Sequence, residues 1–323
     1  MSGPRYEPVA AWGGDLPDIR TKDVSDIAVG PNDEVYLLYR EPSFVLVCGP
    51  DGAIRRTLGR DVLGKHAHGV TAVAGRTYVV DELEHCVRAL DGEGREVLRF
   101  GDGPSDPSFP SSGVHLDRIT KGRPPFTRPT RIAVSPWGEL YVTDGYGNSR
   151  VHRFDPQGRL LGSWGEPGIA PGCFHIPHDV CVDSEGRVIV CDRENDRIQL
   201  FDREGVPAGQ WTDLRRPQGV VQGADGLYYV AEGAWRKGQV SPVHGPVPTA
   251  PSRVSILDRE GRPLVRIGTD RPDEPGSFIG AHGIAVDSKG DIYVAEVSAS
   301  LLARFPELAA PSRTAVQKLR RVA

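Results

Sequence analysis

Residues 178–205 read HDVCVDSEGRVIVCDRENDRIQLFDREG. This stretch decides the fold because it is the clearest copy of a repeat unit that recurs along the chain. A short apolar strand is followed by a Gly-containing turn, a second apolar strand, a polar link, and a third strand that ends near Asp/Pro-x-Gly. Runs of β-branched residues bounded by turn residues are typical of short buried strands, and the Gly-containing turns supply the positive φ that tight hairpins need. Versions of this unit begin at Val24, His68, Thr130, His178, Gln218 and His282.

Six units spaced by about 40 to 60 residues are typical of the four-stranded blades of a propeller. A helical fold is excluded because no stretch before the C-terminal end sustains a period of 3.6 residues beyond a couple of turns. We therefore predict an all-β protein in which residues 1–305 form a single six-bladed β-propeller. Residues 306–323 are predicted to form a short, helical C-terminal tail.

Two insertions interrupt the repeats. Residues 102–126, rich in Pro, Ser and Gly, precede the third blade, and residues 234–252 interrupt the fifth blade. Insertions of this kind map to loops on one face of a repeat protein, and that face is often the binding face.

Composition and charge exclude several classes of function. The 323 residues carry 39 Lys and Arg against 43 Asp and Glu, a net charge of −4 without a basic stripe, so no nucleic-acid surface is indicated. No apolar run approaches the ~20 residues that span a bilayer. The N-terminal MSGPRYEPVAAW lacks the apolar region of a secretory signal, and the five cysteines form no CxxC pair. We expect a cytoplasmic protein with free thiols that binds neither nucleic acid nor membranes.

Three histidines share one position of the repeat. Alignment of the blades on their first strands superposes Ser25, His68, Thr130, His178, Gln218 and His282. The histidines fall on blades two, four and six, a threefold arrangement about the propeller axis, which the innermost strands line. Three imidazoles that converge with an open fourth position match a catalytic zinc site. His66, two residues before His68, points to the same strand face and is either a substitute ligand or a partner of the ligands.

Longer motifs carry a resemblance to known families. The pattern of Asp192–Phe201 is similar to that of NHL repeats. The segments DGYGNSR (144–150), SWGE (163–166), IPHD (176–179) and DRENDRIQ (192–199) resemble, in sequence and in order, the peptidyl-α-hydroxyglycine α-amidating lyases. The resemblance extends from about Ile27 to the end of the sixth blade.

The resemblance implies a set of site residues. The zinc ligands would be His68, His178 and His282, the same three residues that the repeat position indicates. The catalytic tyrosine would be Tyr146, and the two active-site arginines would be Arg193, in an intact DREN motif, and Arg40, whose neighbours match less well.

The sequence also departs from this family. Gly147 follows the tyrosine where the family has a disulfide-bonded cysteine. The family's structural calcium would receive a carbonyl from Val70, but its carboxylate ligand is replaced by Gly283, so the sequence leaves a calcium site open. No copper monooxygenase domain is present in the chain, so a hydroxylated substrate would come from a separate enzyme or form spontaneously.

The resemblance implies that an N-acyl or peptidyl α-hydroxyglycine is cleaved at its C–N bond to an amide and glyoxylate. Zinc would favour the alkoxide of the substrate, Tyr146 would be the general base, Arg193 would bind the substrate carboxylate, and Arg40 would be the partner of Tyr146. Two alternatives remain open. A non-catalytic NHL propeller could act as a scaffold for protein partners, or metal-bound water could support a propeller hydrolase. The acyl group of the substrate and the oligomeric state stay undetermined.

Overall fold

A computed structural model describes residues 3–10, 12–18, 20–101, 103–104, 106–306, 308 and 313–322. Within these residues the strands form six four-stranded antiparallel sheets and one two-stranded ribbon. The sheets are the blades of a six-bladed β-propeller, which confirms the predicted fold class. Their innermost strands contact one another around the axis.

The blades follow one another in the order that the repeats predict. Blade one contains β2 (Val24–Val29), β3 (Val35–Tyr39), β4 (Phe44–Cys48) and β5 (Ile54–Leu58), and blade two contains β6 (Ala67–Val73), β7 (Arg76–Asp81), β8 (Cys86–Leu90) and β9 (Glu96–Phe100). Blade three contains β10 (Arg131–Val134), β11 (Leu140–Asp144), β12 (Arg150–Phe154) and β13 (Leu160–Trp164), and blade four contains β14 (Pro177–Val182), β15 (Val188–Asp192), β16 (Arg197–Phe201) and β17 (Pro207–Trp211).

The last two blades depart from the regular plan. Blade five contains β18 (Pro217–Gln222), β19 (Tyr228–Glu232), β22 (Arg253–Leu257) and β23 (Pro263–Ile267), with the ribbon β20 (Val240–Ser241) and β21 (Gly245–Pro246) in its insertion. Blade six contains β24 (Ala281–Val286), β25 (Ile292–Glu296), β26 (Val316–Arg321) and β1 (Tyr6–Pro8). Short 3₁₀ helices span Pro31–Asp33, Leu116–Arg118 and Arg193–Asn195, and the α-helix α1 spans Ser298–Arg304.

Both ends of the described chain meet in blade six. The N-terminal strand β1 pairs with β26, with Tyr6 opposite Arg321, and β26 pairs with β25. The structure therefore differs from the predicted boundary at residue 305, because residues beyond it complete the propeller. The short helix lies earlier, at Ser298–Arg304, and residues 307, 309–312 and 323 of the predicted tail lie outside the described residues.

The core lies between blades. Alternate residues of β3 enter different apolar clusters: Val35, Leu37 and Tyr39 pack towards blade six, whereas Tyr36 and Leu38 pack towards blade two. Successive side chains of a strand point to opposite faces, and both faces of a blade are covered by its neighbours. This burial on both faces explains why the middle strands read as continuous apolar runs rather than as alternating ones.

Asp-x-x-Gly turns close hairpins in several blades, at the end of the propeller opposite to the one where the innermost strands begin. In the turn at 183–187, Asp183 Oδ1 accepts hydrogen bonds from the amides of Glu185 and Arg187, and Gly186 has a φ of 84°. A residue with a side chain rarely adopts that φ, so the glycine that the repeat places there is required. Asp91, Asp155 and Asp258 form the same turn, each with an arginine four residues later.

The remaining expectations concern the membrane and the cysteines. No helix of the described part of the chain combines the length and the apolarity needed to cross a bilayer. All five cysteines are free thiols. Burial raises the pKa of Cys48 and of Cys86 to about 11, so these two stay protonated and unreactive near neutral pH.

Candidate metal centre

The three histidines each occupy a break in strand register. The pairing of β6 with β7 passes from Ala67 to Gly69 and leaves His68 out of the ladder, and His178 and His282 are left out of β14 and β24 in the same way. A bulge of this kind re-aims a side chain and is frequent next to active sites. The bulges turn the three imidazoles towards the axis, at the end of the propeller where the innermost strands begin.

The imidazoles form a compact triangle. Ring centroids are 4.9 Å apart for His68 and His178, 5.0 Å for His68 and His282, and 4.7 Å for His178 and His282. One ring nitrogen of each lies within 4.8 Å of those of the other two, and all three residues are buried. Among the described residues this is the one cluster of His, Cys, Asp and Glu able to hold a metal ion.

The second nitrogen of each ring is held by the neighbouring blade. The Nδ1 atoms lie at hydrogen-bond distance from main-chain carbonyl oxygens: His68 with Thr130 at 2.9 Å, His178 with Gln218 at 2.7 Å, and His282 with Ser25 at 2.6 Å. A carbonyl oxygen can only accept, so each Nδ1 carries the proton and each Nε2 presents a lone pair. The acceptors are the residues at the same repeat position of blades three, five and one. The six residues at the shared repeat position therefore form three histidine–carbonyl pairs around the axis, and these hydrogen bonds orient the metal ligands.

The protonation state of the triangle suits a metal. Burial lowers the pKa of His68 and His178 well below 6.5, and the proximity of His282 lowers both further. Burial, followed by the charge of Arg40, lowers the pKa of His282 to about 3. Three neutral imidazoles with inward Nε2 lone pairs are the donor set of a catalytic zinc site, so the residues present fit this metal.

Tyr146 lies against this triangle. It follows β11, and its hydroxyl oxygen is 3.0 Å from Nε2 of His178 and 3.3 Å from Nε2 of His68. The second strand of each blade runs antiparallel to the innermost strand and ends beside the histidines. Residues that follow second strands, such as Tyr146, Arg193 and Arg40, consequently reach the same end of the channel.

Arg193 is the partner of the tyrosine. Its Nη1 donates a hydrogen bond of 3.0 Å to the Tyr146 hydroxyl, and its Nε donates to Glu194 at 2.8 Å. Glu194 also accepts a hydrogen bond from Arg216 at 2.7 Å. Burial alone would raise the pKa of the Glu194 carboxyl, but the charges of Arg193 and Arg216 outweigh it and lower the pKa. The arginine that is hydrogen-bonded to Tyr146 is thus Arg193, because the DREN turn carries it across to the adjacent blade.

Arg40 follows the second strand of blade one. Its Nε is buried and has no hydrogen-bond partner among the described residues. The side chain lines a cavity of about 170 Å³, together with Lys22, Glu41 and His66. The charge of Arg40 reaches the metal site, since it contributes to the low pKa of His282 and His68.

His66 does not join the metal ligands. Its Nδ1 is 3.2 Å from a carboxylate oxygen of Glu41, and its Nε2 is 3.8 Å from one of Glu82. It lines the same cavity as Arg40 and is not part of the three-histidine cluster, contrary to its prediction as a substitute ligand. The two-residue spacing from His68 predicted a shared strand face, but β6 begins at Ala67, so His66 lies in the turn before the strand.

Arg128 is a site residue that the sequence reasoning missed. Its guanidinium lies 5.2 Å from the ring centroid of Tyr146. It pairs with Glu82 and donates hydrogen bonds to the carbonyls of Pro110 and Gly113 in the insertion 102–126. Arg128 thus fastens that insertion beside the tyrosine. Its position in the repeat gave no signal, because it lies in the link between blades.

The channel below the histidines does not supply the calcium site that the resemblance left open. The carbonyl of Val70 accepts a hydrogen bond of 2.5 Å from Arg131. A Cβ at Gly283 would lie 2.5 Å from Asp26 Oδ1, so no carboxylate side chain fits at that position. The described residues therefore do not fit a calcium ion there.

Comparisons with known proteins agree with this architecture. The model of the NHL repeat matches residues 126–154 and 174–201. A solved streptogramin B lyase superposes with a TM-score of 0.56 at 12% identity, covering 95% of this chain and 97% of that one, which supports the fold alone.

Sequence relatives include named amidating enzymes. Peptidyl-glycine alpha-amidating monooxygenase A of Xenopus laevis is 28% identical over 300 residues, which cover 88% of this chain and 28% of that protein. Peptidyl-alpha-hydroxyglycine alpha-amidating lyase 1 of Drosophila melanogaster is 28% identical over 234 residues, covering 66% of this chain and 39% of the relative. The chain is a homologue of the amidating lyases. This confirms the resemblance, although the chain spans less than half the length of either relative.

The three-histidine triangle and the Tyr146–Arg193 pair lie together at one end of this chain's propeller. Several of its relatives are named as enzymes. The donor set indicates a metal.

Proposed function

We propose that this protein is a zinc-dependent lyase that cleaves the C–N bond of an N-acyl or peptidyl α-hydroxyglycine to give an amide and glyoxylate. The observation that carries the proposal is the contact of one phenol, Tyr146, with the inward nitrogens of His68 and His178 and with Arg193. A metal site with an adjacent proton acceptor suits a reaction that begins with the loss of a hydroxyl proton.

The metal would be held by His68, His178 and His282. When bound, zinc supplies Lewis acidity that favours the ionised form of the substrate hydroxyl. The carbonyls that bind each Nδ1 keep the three rings in the tautomer and orientation that ligation requires.

Tyr146 would transfer one proton, from the substrate hydroxyl to the departing amide nitrogen. Tyr146 accepts the proton of the substrate hydroxyl, and the electron pair of that O–H bond forms the new carbonyl as the C–N bond breaks. The departing amide nitrogen then takes up a proton, which Tyr146 is placed to return. Arg193 stabilises the negative phenolate oxygen through its 3.0 Å hydrogen bond.

The substrate carboxylate is assigned to Arg40 instead of Arg193. Arg193 already donates to Tyr146 and to Glu194, whereas the buried Nε of Arg40 has no hydrogen-bond partner among the described residues. The cavity that Arg40 lines also contains Lys22, Asp23 and Glu41, so the assignment rests on the unpartnered Nε of Arg40 and not on the net charge of the cavity.

The proposal also includes a cellular compartment for the protein and a source for its substrate. The five free thiols support a cytoplasmic location. A separate hydroxylating enzyme would supply the α-hydroxyglycine, or the substrate would form spontaneously.

The test is metal analysis of the purified protein coupled to glyoxylate release from α-hydroxyhippurate. We expect about one zinc per chain, and glyoxylate release that stops when zinc is chelated and returns when zinc is added. His178→Ala should lose zinc, whereas His244→Ala, which removes a histidine whose side chain is 60% exposed, should keep it.

The other outcomes separate the two alternatives. Zinc without glyoxylate release would favour metal-assisted hydrolysis or a related hemiaminal substrate. A protein with neither zinc nor turnover would favour an NHL-type scaffold for protein partners.

A further inference from the structure

A layer of charged side chains lies directly beneath the three histidines. It consists of the residues that follow the shared repeat position in each blade, which are Asp26, Gly69, Arg131, Asp179, Gly219 and Gly283. Three of the six are charged and three are glycine. The glycines make room on the axis, because a Cβ at Gly69 would lie 3.1 Å from Arg131 Cδ and one at Gly219 would lie 3.2 Å from Asp179 Oδ2.

The guanidinium of Arg131 fills the centre of this layer. Its Nη1 donates to the carbonyl of Val70 at 2.5 Å and forms a close ion pair with Asp26. Its Nε lies 3.1 Å from Asp179 Oδ1, an ion pair that is not aligned as a hydrogen bond. A planar cation with several donors can satisfy a carbonyl and two carboxylates at once.

The two carboxylates are part of the frame of the channel. Asp26 accepts a hydrogen bond from the amide of Val70 in blade two, at 2.6 Å. Asp179 accepts one from the amide of Val220 in blade five, at 2.9 Å. Two buried carboxylates that face the same guanidinium need that cation to compensate their charge.

The layer lies immediately below the histidine triangle. The space between them, lined by His68, His178, His282 and the three charged residues, measures about 10 Å³. This is at the lower limit for a single water molecule, so a hydrated ion does not fit between the two layers.

We propose that Arg131 is a built-in cation that replaces a divalent metal ion in the channel. It neutralises Asp26 and Asp179, ties the strands that carry His68 and His178, and makes this layer independent of calcium. Arg131 is thus a positioning residue for the metal centre. The proposal does not depend on the lyase function, because it concerns the channel and not the reaction.

The test follows the thermal unfolding of zinc-loaded protein in buffer freed of calcium on a chelating resin, before and after addition of millimolar Ca²⁺. Wild-type protein should show the same midpoint with and without Ca²⁺. Arg131→Ala should lower the midpoint by roughly 5 to 10 °C, and Ca²⁺ should restore much of the loss by binding Asp26 and Asp179. Arg131→Lys keeps a positive charge and should not respond to Ca²⁺.

A matched control separates this effect from the loss of any buried arginine. Arg153→Ala removes an ion pair with Glu139 between other strands and should lower the midpoint without a response to Ca²⁺. Saturable Ca²⁺ binding by the wild-type protein in calorimetry, abolished in Asp26→Asn, would overturn the proposal. An Arg131→Ala protein that folds but ignores Ca²⁺ would overturn it too. If that variant does not fold, the wild-type and Arg131→Lys titrations decide.

Discussion

The hydroxyl group of Tyr146 contacts two of the three histidines and one arginine, so its removal is the sharpest test at the scale of a single residue. We expect Tyr146→Phe to lower kcat for glyoxylate release by about 10²–10⁴-fold, because general-base catalysis contributes on that order. Zinc content and thermal stability should be unchanged, since the ring still packs under Arg128. Tyr78→Phe, which loses only a hydrogen bond to Arg76, is the control. A Tyr146→Phe enzyme with wild-type kcat would remove the tyrosine from the mechanism.

The two arginines should differ in which kinetic constant they change. Arg193→Met removes the hydrogen bond to the phenol and should mainly lower kcat. Arg40→Met removes the guanidinium whose buried Nε has no hydrogen-bond partner among the described residues, and should mainly raise KM, by about 10-fold or more. Steady-state kinetics with α-hydroxyhippurate measures both. The reverse pattern would return the carboxylate to Arg193, as the sequence alone suggested.

At the scale of elements, ion pairs and hydrogen bonds fasten one blade to the next. Glu139, just before β11, accepts hydrogen bonds from Arg153 in its own blade and from Arg203, which follows β16 in blade four. Burial by itself would raise the pKa of the Glu139 carboxyl, but the hydrogen bonds from Arg203 and Arg153 hold the pKa well below its usual range. A carboxyl with a depressed pKa stabilises the fold above its unfolded pKa of about 4.5, and this stabilisation is lost as the pH falls.

We therefore expect Glu139→Gln to lower the free energy of unfolding by about 1–3 kcal/mol at pH 7. The difference from wild type should narrow as the pH falls below about 4.5, because the wild-type carboxyl then loses the advantage of its charge. Urea unfolding at pH 7 and at lower pH measures this. Glu93→Gln, at a carboxylate whose side chain is 70% exposed, should change stability by less than about 0.5 kcal/mol. A pH-independent difference would contradict the assigned role of the charge.

At the scale of the whole molecule, the propeller closes through its two ends. Leu319 in β26 is fully buried between blades five and six, although it lies in the segment that the sequence suggested was a tail. Leu319→Ala should lower the free energy of unfolding by about 2–5 kcal/mol through the cavity that it creates. Val322→Ala, three residues later at a side chain 41% exposed, should be close to neutral. A neutral Leu319→Ala would mean that the segment lies outside the cooperative unit.

The spacing of Val316 and Leu319 explains why this strand could not be read from the sequence. Apolar residues three apart fit one face of a helix. In β26 they instead point to opposite faces and enter the clusters shared with blades one and five, respectively. Residues 316–321 form a strand and not a helix because they pair with the edge of β25, and the local sequence does not reveal that this edge is available.

The sequence by itself determined the six repeats, the all-β fold and the three histidines at one repeat position, since each depends on the periodicity of residue types. Only the tertiary structure showed that Arg193 is hydrogen-bonded to Tyr146 and that Arg128 holds the insertion 102–126 beside the tyrosine. Only the tertiary structure also showed that Arg131 occupies the part of the channel where the sequence left a calcium site open. The physical reason is that these contacts join different blades. The repeat period predicts which residues occupy equivalent positions along the propeller axis. Strand bulges, turns and side-chain lengths determine which of these residues are in contact.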